Sequence, residues 1–343
     1  MLTKIIAEEL VHKIKNEIED AENIVVVTHV GPDGDAMGAA LGLWHFLMTE
    51  NKSTKVIVPS PPPNFLMWMP GAEHILIYRY AESQQEADEL IANADLIFAV
   101  DFNAANRLSG MADVVIASKA RKVMIDHHLN PENFVNITIS HPNISSTSEL
   151  IFRLICRMGY FHKINLACAE CIYTGMMTDT GGFTYNSNHE EIYTIIYELI
   201  KLGIDKDKIY QNVYSTYSAD RMRLMGYCLY QKMKVYPEYQ AALITLTKDE
   251  LQQFNYDNGD AEGFVNIPLS IKGIIFSVFM REDPDKIKVS LRSEGTFPTN
   301  KFAAEFFGGG GHLNASGGES YTTLEEAVKI FEEGLPLYKE FLS

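Results

Sequence analysis

Residues 24 to 48 read IVVVTHVGPDGDAMGAALGLWHFLM. A β-branched run ends at His29, a Gly/Pro/Asp loop follows, and small and apolar residues then continue at helical density. A strand that is apolar at every position is covered on both faces, as strands are in a parallel sheet flanked by helices. The same character recurs in KVIV (55–58), DLIFAV (95–100), VVIA (114–117) and KVMI (122–125), with helical stretches between most of them. The pattern predicts a doubly wound α/β domain with a parallel sheet, whose ligands bind beyond the C-terminal ends of the strands.

Upstream, MLTKIIAEELVHKIKNEIED sets Leu2, Ile6, Leu10, Ile14 and Ile18 four apart, an amphipathic helix rather than a secretory leader. Downstream, Ser146 and Glu149 have capping-box spacing before LIFRLICRMG, and helical stretches run through the 160s and 170s and from about 189 to 233, broken at Gly203. AALITL (241–246), GIIFSVFM (273–280) and KIKVSLRS (286–293) then alternate as strands do, before a glycine cluster and a final helix over 323–341. The expected organisation is an α/β metal-binding catalytic domain over 1–186 and a helical connector over 187–235. A smaller α/β domain with a mixed sheet, expected to bind substrate, follows over 236–343.

Composition narrows the function classes. The chain has 343 residues, 46% hydrophobic and 22% charged, which excludes disorder, collagen and small disulfide scaffolds. No apolar run approaches the roughly 20 residues that span a bilayer, so no membrane role and a cytoplasmic location are expected. With 29 basic and 45 acidic residues and a net charge of −16, the chain is unsuited to a long nucleic-acid groove, because such binding scales with Lys and Arg contacts. Cys156, Cys168, Cys171 and Cys228 are too few for a disulfide framework, and the C-x-x-C at 168–171 lies in a helical pattern, reading as buried thiols.

Polar residues stand where the strands end: His29, with Asp33 and Asp35 in the loop after it; Asp101; and Asp126, His127 and His128. Any one of them has an ordinary structural explanation, and Asp35 alone reads equally well as the N-cap of the next helix. Three such clusters on one sheet edge point instead to a metal site. Imidazoles and carboxylates without thiolate suit manganese, magnesium or zinc, and crowded carboxylates are better neutralised by two cations than by one. Asp179, in GMMTDTGG, is placed to add a ligand. The second chemical locus is FFGGGGHLNASGG (306–318), where Gly309, Gly310 and Gly311 let backbone N–H groups approach an anion. The small residues that follow are expected to open a helix whose N-terminus favours phosphate. His312 stands beside the run, and Arg292 and Ser293 end a strand with a guanidinium fork and a hydroxyl that fit phosphate.

In these motifs the chain resembles the DHH-family phosphoesterases with a DHH-associated C-terminal domain. The match consists of His29, Asp33 and Asp35 as H-x-x-x-D-x-D, Asp101, Asp126-His127-His128, Asp179-Thr180-Gly181, Arg292-Ser293, and Gly308 to His312 with Asn314, Ala315, Ser316 and Gly317. It covers nearly the whole chain, and the compact length is similar to that of the NrnA-type oligoribonuclease and pAp phosphatase branch. The resemblance implies two Mn²⁺ ions, with Mg²⁺ or others as substitutes. One would sit on His29, Asp33 and Asp101, the other on Asp35, Asp101, His127 and Asp179, with Asp101 bridging. It implies that His128 assists at the phosphoryl oxygens or the leaving group, oriented by Asp126. It also implies that the C-terminal domain closes over the cleft while Arg292, Ser293, His312 and the glycine backbone hold the far end of the substrate. The implied activity is hydrolysis of short oligoribonucleotides to mononucleotides, and of pAp to AMP. The alternatives are a c-di-AMP or pApA phosphodiesterase and, from another class, a nucleotide-binding sensor without turnover. A homodimer is a candidate assembly.

Overall fold

The structure is a computed structural model describing residues 2–257 and 259–341. It divides into two compact units, the first ending at Thr216 and the second beginning at Tyr217.

The first unit contains, in order, α1 (Glu8–Asp20), β1 (Asn23–Val27), α2 (Gly34–Thr49), β2 (Ser53–Val58), β3 (Leu76–Ile77), α3 (Ala81–Ala92), β4 (Leu96–Val100), α4 (Ala112–Ala117), β5 (Arg121–Asp126), β6 (Ile137–Ser140), α5 (Thr147–Arg157), α6 (Leu166–Asp179), α7 (Glu190–Lys201) and α8 (Lys206–Tyr214). Its strands form a parallel sheet in the order β3-β2-β1-β4-β5-β6. Ile24 and Val26 of β1 pack into one core with residues of α1, α2, α5 and α6, while Val25 and Val27 pack into a second with α3 and α4. This two-sided burial is why the run is apolar at every position. On the first face α2 and α6 touch backbone to backbone, since a Cβ on Gly38 would stand 2.7 Å from the Cys171 carbonyl oxygen and 2.7 Å from the Gly175 Cα. Their contacts run antiparallel, Gly34 meeting Thr178 and Gly42 meeting Ile172, so the start of α2 lies beside the end of α6.

The doubly wound parallel sheet is as expected, with local exceptions. VVIA (114–117), read as a strand, ends α4: Val115 is buried and Ile116 half exposed, a one-sided helical pattern that four apolar letters cannot distinguish from a strand. The short edge strands β3 and β6 have no counterpart in the sequence reading. Within 187–235, α7 and α8 bury Ile192, Ile195, Leu199, Ile209 and Val213 in the first core. Cys168 and Cys171 are buried thiols in α6 that donate to the Gly42 and Pro70 carbonyls.

The second unit contains α9 (Ala219–Tyr227), β7 (Lys234–Tyr236), β8 (Ala241–Leu246), α10 (Lys248–Gln253), β9 (Phe276–Glu282), β10 (Ile287–Ser293), α11 (Thr299–Phe307), β11 (Gly310–Gly311), β12 (Ala315–Ser320) and α12 (Leu324–Gly334). The sheet order is β11-β12-β10-β9-β8-β7, antiparallel except between β8 and β9. Phe276, Phe297, Phe302, Phe307 and Phe331 fill the core between this sheet and α11 and α12. Leu224 of α9 packs with Ile244, Leu246, Phe264 and Phe279 in a separate cluster. The residues after the glycine run do not open a helix. Ala315–Ser320 is β12, paired with β10 from Ile287–Ser320 to Arg292–Ala315. Glycine disfavours helix, and here it permits close backbone approach: a Cβ on Gly309 would lie 1.9 Å from the Gly317 carbonyl oxygen. Among the described residues no helix is long and apolar enough to cross a membrane.

Candidate metal centre

β1 and β4 adjoin where the strand order reverses, the position at which open α/β sheets bind ligands. His29 follows β1 by two residues and Asp101 directly follows β4, while Asp126 ends β5 and His127 and His128 come next. Asp33 caps α2, its Oδ1 accepting from the Asp35 and Ala36 N–H groups at 3.0 Å. The N-cap is therefore Asp33, and Asp35 is free to point elsewhere from the first turn. Asp179 ends α6 and reaches the same edge through the antiparallel contact of α2 with α6.

Two sets of donors result. In one, His29 Nε2 lies 3.8 Å from Asp33 Oδ2 and 3.5 Å from Asp101 Oδ2. In the other, His127 Nε2 lies 3.8 Å from Asp35 Oδ2, 3.6 Å from Asp101 Oδ1 and 3.4 Å from Asp179 Oδ2. Asp101 belongs to both, one carboxylate oxygen to each. These separations exceed hydrogen-bond length and match neighbouring ligands of one small cation with bonds of about 2.0–2.2 Å. The tautomers suit ligation as well. His29 Nδ1 lies 3.0 Å from the Val30 carbonyl and His127 Nδ1 3.2 Å from that of Ile144; a carbonyl only accepts, so Nδ1 bears the proton and Nε2 presents its lone pair to the carboxylates. His128 Nδ1 donates to Asp126 Oδ1 at 2.7 Å, and the His128 N–H bonds the other oxygen of that fully buried carboxylate.

Charge is crowded. Among the described residues Asp33, Asp35 and Asp101 have no Lys or Arg within ion-pair distance. Burial, then the neighbouring carboxylates Asp35, Asp33, Asp179 and Asp126, push Asp101 well above the usual carboxylate range. Burial also raises Asp35, against the opposing pull of His127 and the Ser148 hydrogen bond. Burial opposes the protonation of His127, but Asp179, Asp35 and Asp126 outweigh it and raise its pKa. Cations would remove the repulsion, so the donor set fits divalent ions.

The chain holds this arrangement in two ways that the sequence did not reveal. Asp101 sits at φ 66°, a left-handed conformation uncommon for a non-glycine residue, with its N–H bonded to the Ile125 carbonyl at 3.0 Å. The start of α5 grips two of the carboxylates. The Thr147 and Ser148 N–H groups donate to Asp35 at 2.6 and 2.9 Å, and the Thr147 hydroxyl donates to Asp101 Oδ1 at 2.8 Å. Ser146 caps α5 as expected, yet the capping box is half formed: the Glu149 carboxylate accepts from Ser145 and binds Arg153 instead. Thr147→Val keeps the shape and removes the hydroxyl. It is expected to lower kcat about 10- to 100-fold with the melting temperature of the metal-loaded protein nearly unchanged, as steady-state kinetics and calorimetry would show.

In the second unit, Arg292 Nη1 bonds the Leu291 carbonyl, and the buried Ser293 hydroxyl donates to the Phe297 carbonyl while accepting from Asn314. Ser293 thus has a structural occupation. Gly310 and Gly311 pair with β12, and the His312 N–H donates to the Ala315 carbonyl.

Comparison with known proteins agrees with this geometry. The family description "DHH family, N-terminal domain" matches residues 23–176 and "DHHA1 domain" matches 238–335. Bifunctional oligoribonuclease and PAP phosphatase NrnA of Bacillus subtilis is 30% identical over 324 residues, 93% of this chain and 96% of that one. The chain belongs to the DHH phosphoesterase family. Another DHH relative, the protein of the same name from Thermus thermophilus, is 28% identical over 89% of both chains. A solved structure, an exopolyphosphatase-related protein from Bacteroides fragilis, superposes with a TM-score of 0.95 at 62% identity over 99% of each chain. The DHH match spans the residues from β1 into α6, including all the donors above except Asp179.

Proposed function

We propose that this protein is a two-metal phosphoesterase that hydrolyses short oligoribonucleotides to nucleoside monophosphates and removes the 3′-phosphate of pAp. The observation that supports it most is Asp101, shared between two imidazole-carboxylate sets. The NrnA relatives, matched over most of their length, favour these substrates. In this reading His29, Asp33 and Asp101 hold one ion and Asp35, Asp101, His127 and Asp179 the other, with Mn²⁺ as the expected metal. The bound cations would neutralise phosphoryl oxygens and acidify a water molecule. His128, its Nδ1 proton fixed on Asp126, presents Nε2 for a proton or phosphoryl contact. Burial resists ionisation of Asp126, but its hydrogen bond to His128 holds it below the usual range, so it stays an acceptor and orients the ring.

Arg292, His312 and the Gly309–Gly311 backbone are proposed to hold the rest of the substrate. Arg292→Ala is expected to raise KM about tenfold or more with little change in kcat. The four cysteines are free thiols, which fits a reducing cytoplasmic setting.

The test is turnover of purified protein with Mn²⁺ or Mg²⁺ on pAp, RNA dimers to pentamers, pApA, c-di-AMP and polyphosphate. Highest kcat/KM on pAp and the short RNAs supports the proposal. Preference for c-di-AMP, pApA or polyphosphate replaces its substrate, and nucleotide binding without turnover makes the protein a sensor.

A further inference from the structure

The centre consists of carboxylates and imidazoles, and a fixed cation from the chain beside it would add a directional contact to a phosphate held by the metals. We propose that Arg107 is that group, binding a substrate phosphate on the His29–Asp33 side of the centre. This rests on reading the centre as a phosphoesterase site.

The backbone puts Arg107 there. Its carbonyl accepts from the Val30 N–H at 2.7 Å, one residue beyond His29 and three before Asp33. Arg107 lies in the 3₁₀ turn Ala105–Met111, whose first N–H is held by the Glu132 carboxylate at 3.0 Å. Within that turn Ser109 has φ 51° and ψ −135°, a conformation that a residue with a side chain adopts only under constraint. The strained turn is thus tied to the loop that bears two of the donors.

The side chain is uncommitted. Among the described residues the exposed Arg107 guanidinium makes no ion pair and no hydrogen bond, whereas Arg121, Arg153, Arg157, Arg223 and Arg281 each pair with a carboxylate. Arg79, Arg221 and Arg292 also lack a carboxylate partner among the described residues, and what sets Arg107 apart is the Val30 bond that ties it to the loop of His29 and Asp33. The Arg107 charge acts on both His29 and Asp33, the two donors of the loop to which its backbone is bonded. A planar guanidinium with five donors fits two phosphate oxygens at once.

A merely charge-balancing arginine would behave differently, because its loss would tighten cation binding at the carboxylates. Calorimetric titrations separate the two roles: Mn²⁺ alone, then inorganic phosphate and pAp into Mn²⁺-loaded protein, for the wild type, Arg107→Ala and Arg107→Lys. Arg107→Ala is expected to weaken phosphate and pAp about 10- to 100-fold and to lower kcat/KM on an RNA dimer at least as much. Mn²⁺ affinity should stay within about threefold, and lysine should restore part of the loss. Unchanged phosphate affinity, or Mn²⁺ affinity that tightens about tenfold, overturns the proposal. If the wild type hydrolyses nothing yet binds phosphate through Arg107, the phosphoesterase reading fails and the site stands. If the wild type and Arg107→Ala turn over equally, only the Arg107 assignment fails.

Discussion

Asp101→Asn is expected to lower turnover at least about a thousandfold while making the metal-free protein more stable. The two effects have one origin. Asp101 offers one oxygen toward the His29 set and the other toward the His127 set, so a neutral amide weakens both proposed ion sites together. Without cations the same carboxylate is a liability, buried at 2% exposure among four other carboxylates that raise its pKa. A carboxyl whose folded pKa lies above its unfolded value stabilises the fold below the unfolded pKa, and that contribution is lost as pH rises through the folded pKa. At neutral pH the metal-free wild type therefore bears the cost, and asparagine removes it while still accepting from the Thr147 hydroxyl through its amide oxygen. A gain of about 1–3 kcal/mol, or roughly 2–4 °C in Tm per kcal/mol, is expected in EDTA at pH 7. Added Mn²⁺ should raise the wild-type Tm and erase the difference, since a ligand at a hundred times its Kd contributes about 2.7 kcal/mol. Retained turnover, or a wild-type Tm indifferent to Mn²⁺, would contradict the shared-ligand assignment.

Gly38→Ala is expected to be the most damaging methyl group that can be added to the first unit. It would place a Cβ 2.7 Å from the Cys171 carbonyl oxygen and 2.7 Å from the Gly175 Cα, both backbone atoms, so no side chain can turn aside. The helices must separate, at about 2–3 kcal/mol by the usual cost of overpacking. A fall in Tm of about 5–10 °C should follow. Because the contact sets Asp35 at the start of α2 beside Asp179 at the end of α6, activity should fall at temperatures where the variant is still folded. Thermal melts with kinetics measured well below the transition would check this; wild-type kcat in a destabilised variant would mean that helix spacing does not position the donors.

Much of the first unit was legible because its signals are local. An unbroken apolar run such as IVVV or LIFAV reports two-sided burial, and chain direction then places the residue after it on the C-terminal edge. His29, Asp101 and Asp126-His127-His128 could be gathered on one edge by that rule alone. VVIA failed for the same reason that the others succeeded, since a short apolar run reports burial without period, and Ala112–Ala117 buries one side only. Glycine-rich ASGGES was misread because its conformation depends on a partner, β10, and not on its own propensity.

What the sequence by itself determined is the chemical inventory and, for its imidazoles and carboxylates, the sheet edge on which they lie, ordered along strands whose direction follows from their connections; the guanidinium fork of Arg292 ends a strand of the second unit. What only the tertiary structure decided is the grip on those groups. Thr147 and Asp35 are 112 residues apart, and nothing in either local sequence announces their bond. The left-handed turn at Asp101, the approach of Gly38 to Gly175 and the bond from Val30 to Arg107 are likewise set by long-range packing. Periodicity is written within a few residues and can be read there, whereas hydrogen-bond partners distant in sequence are chosen only when the chain closes on itself.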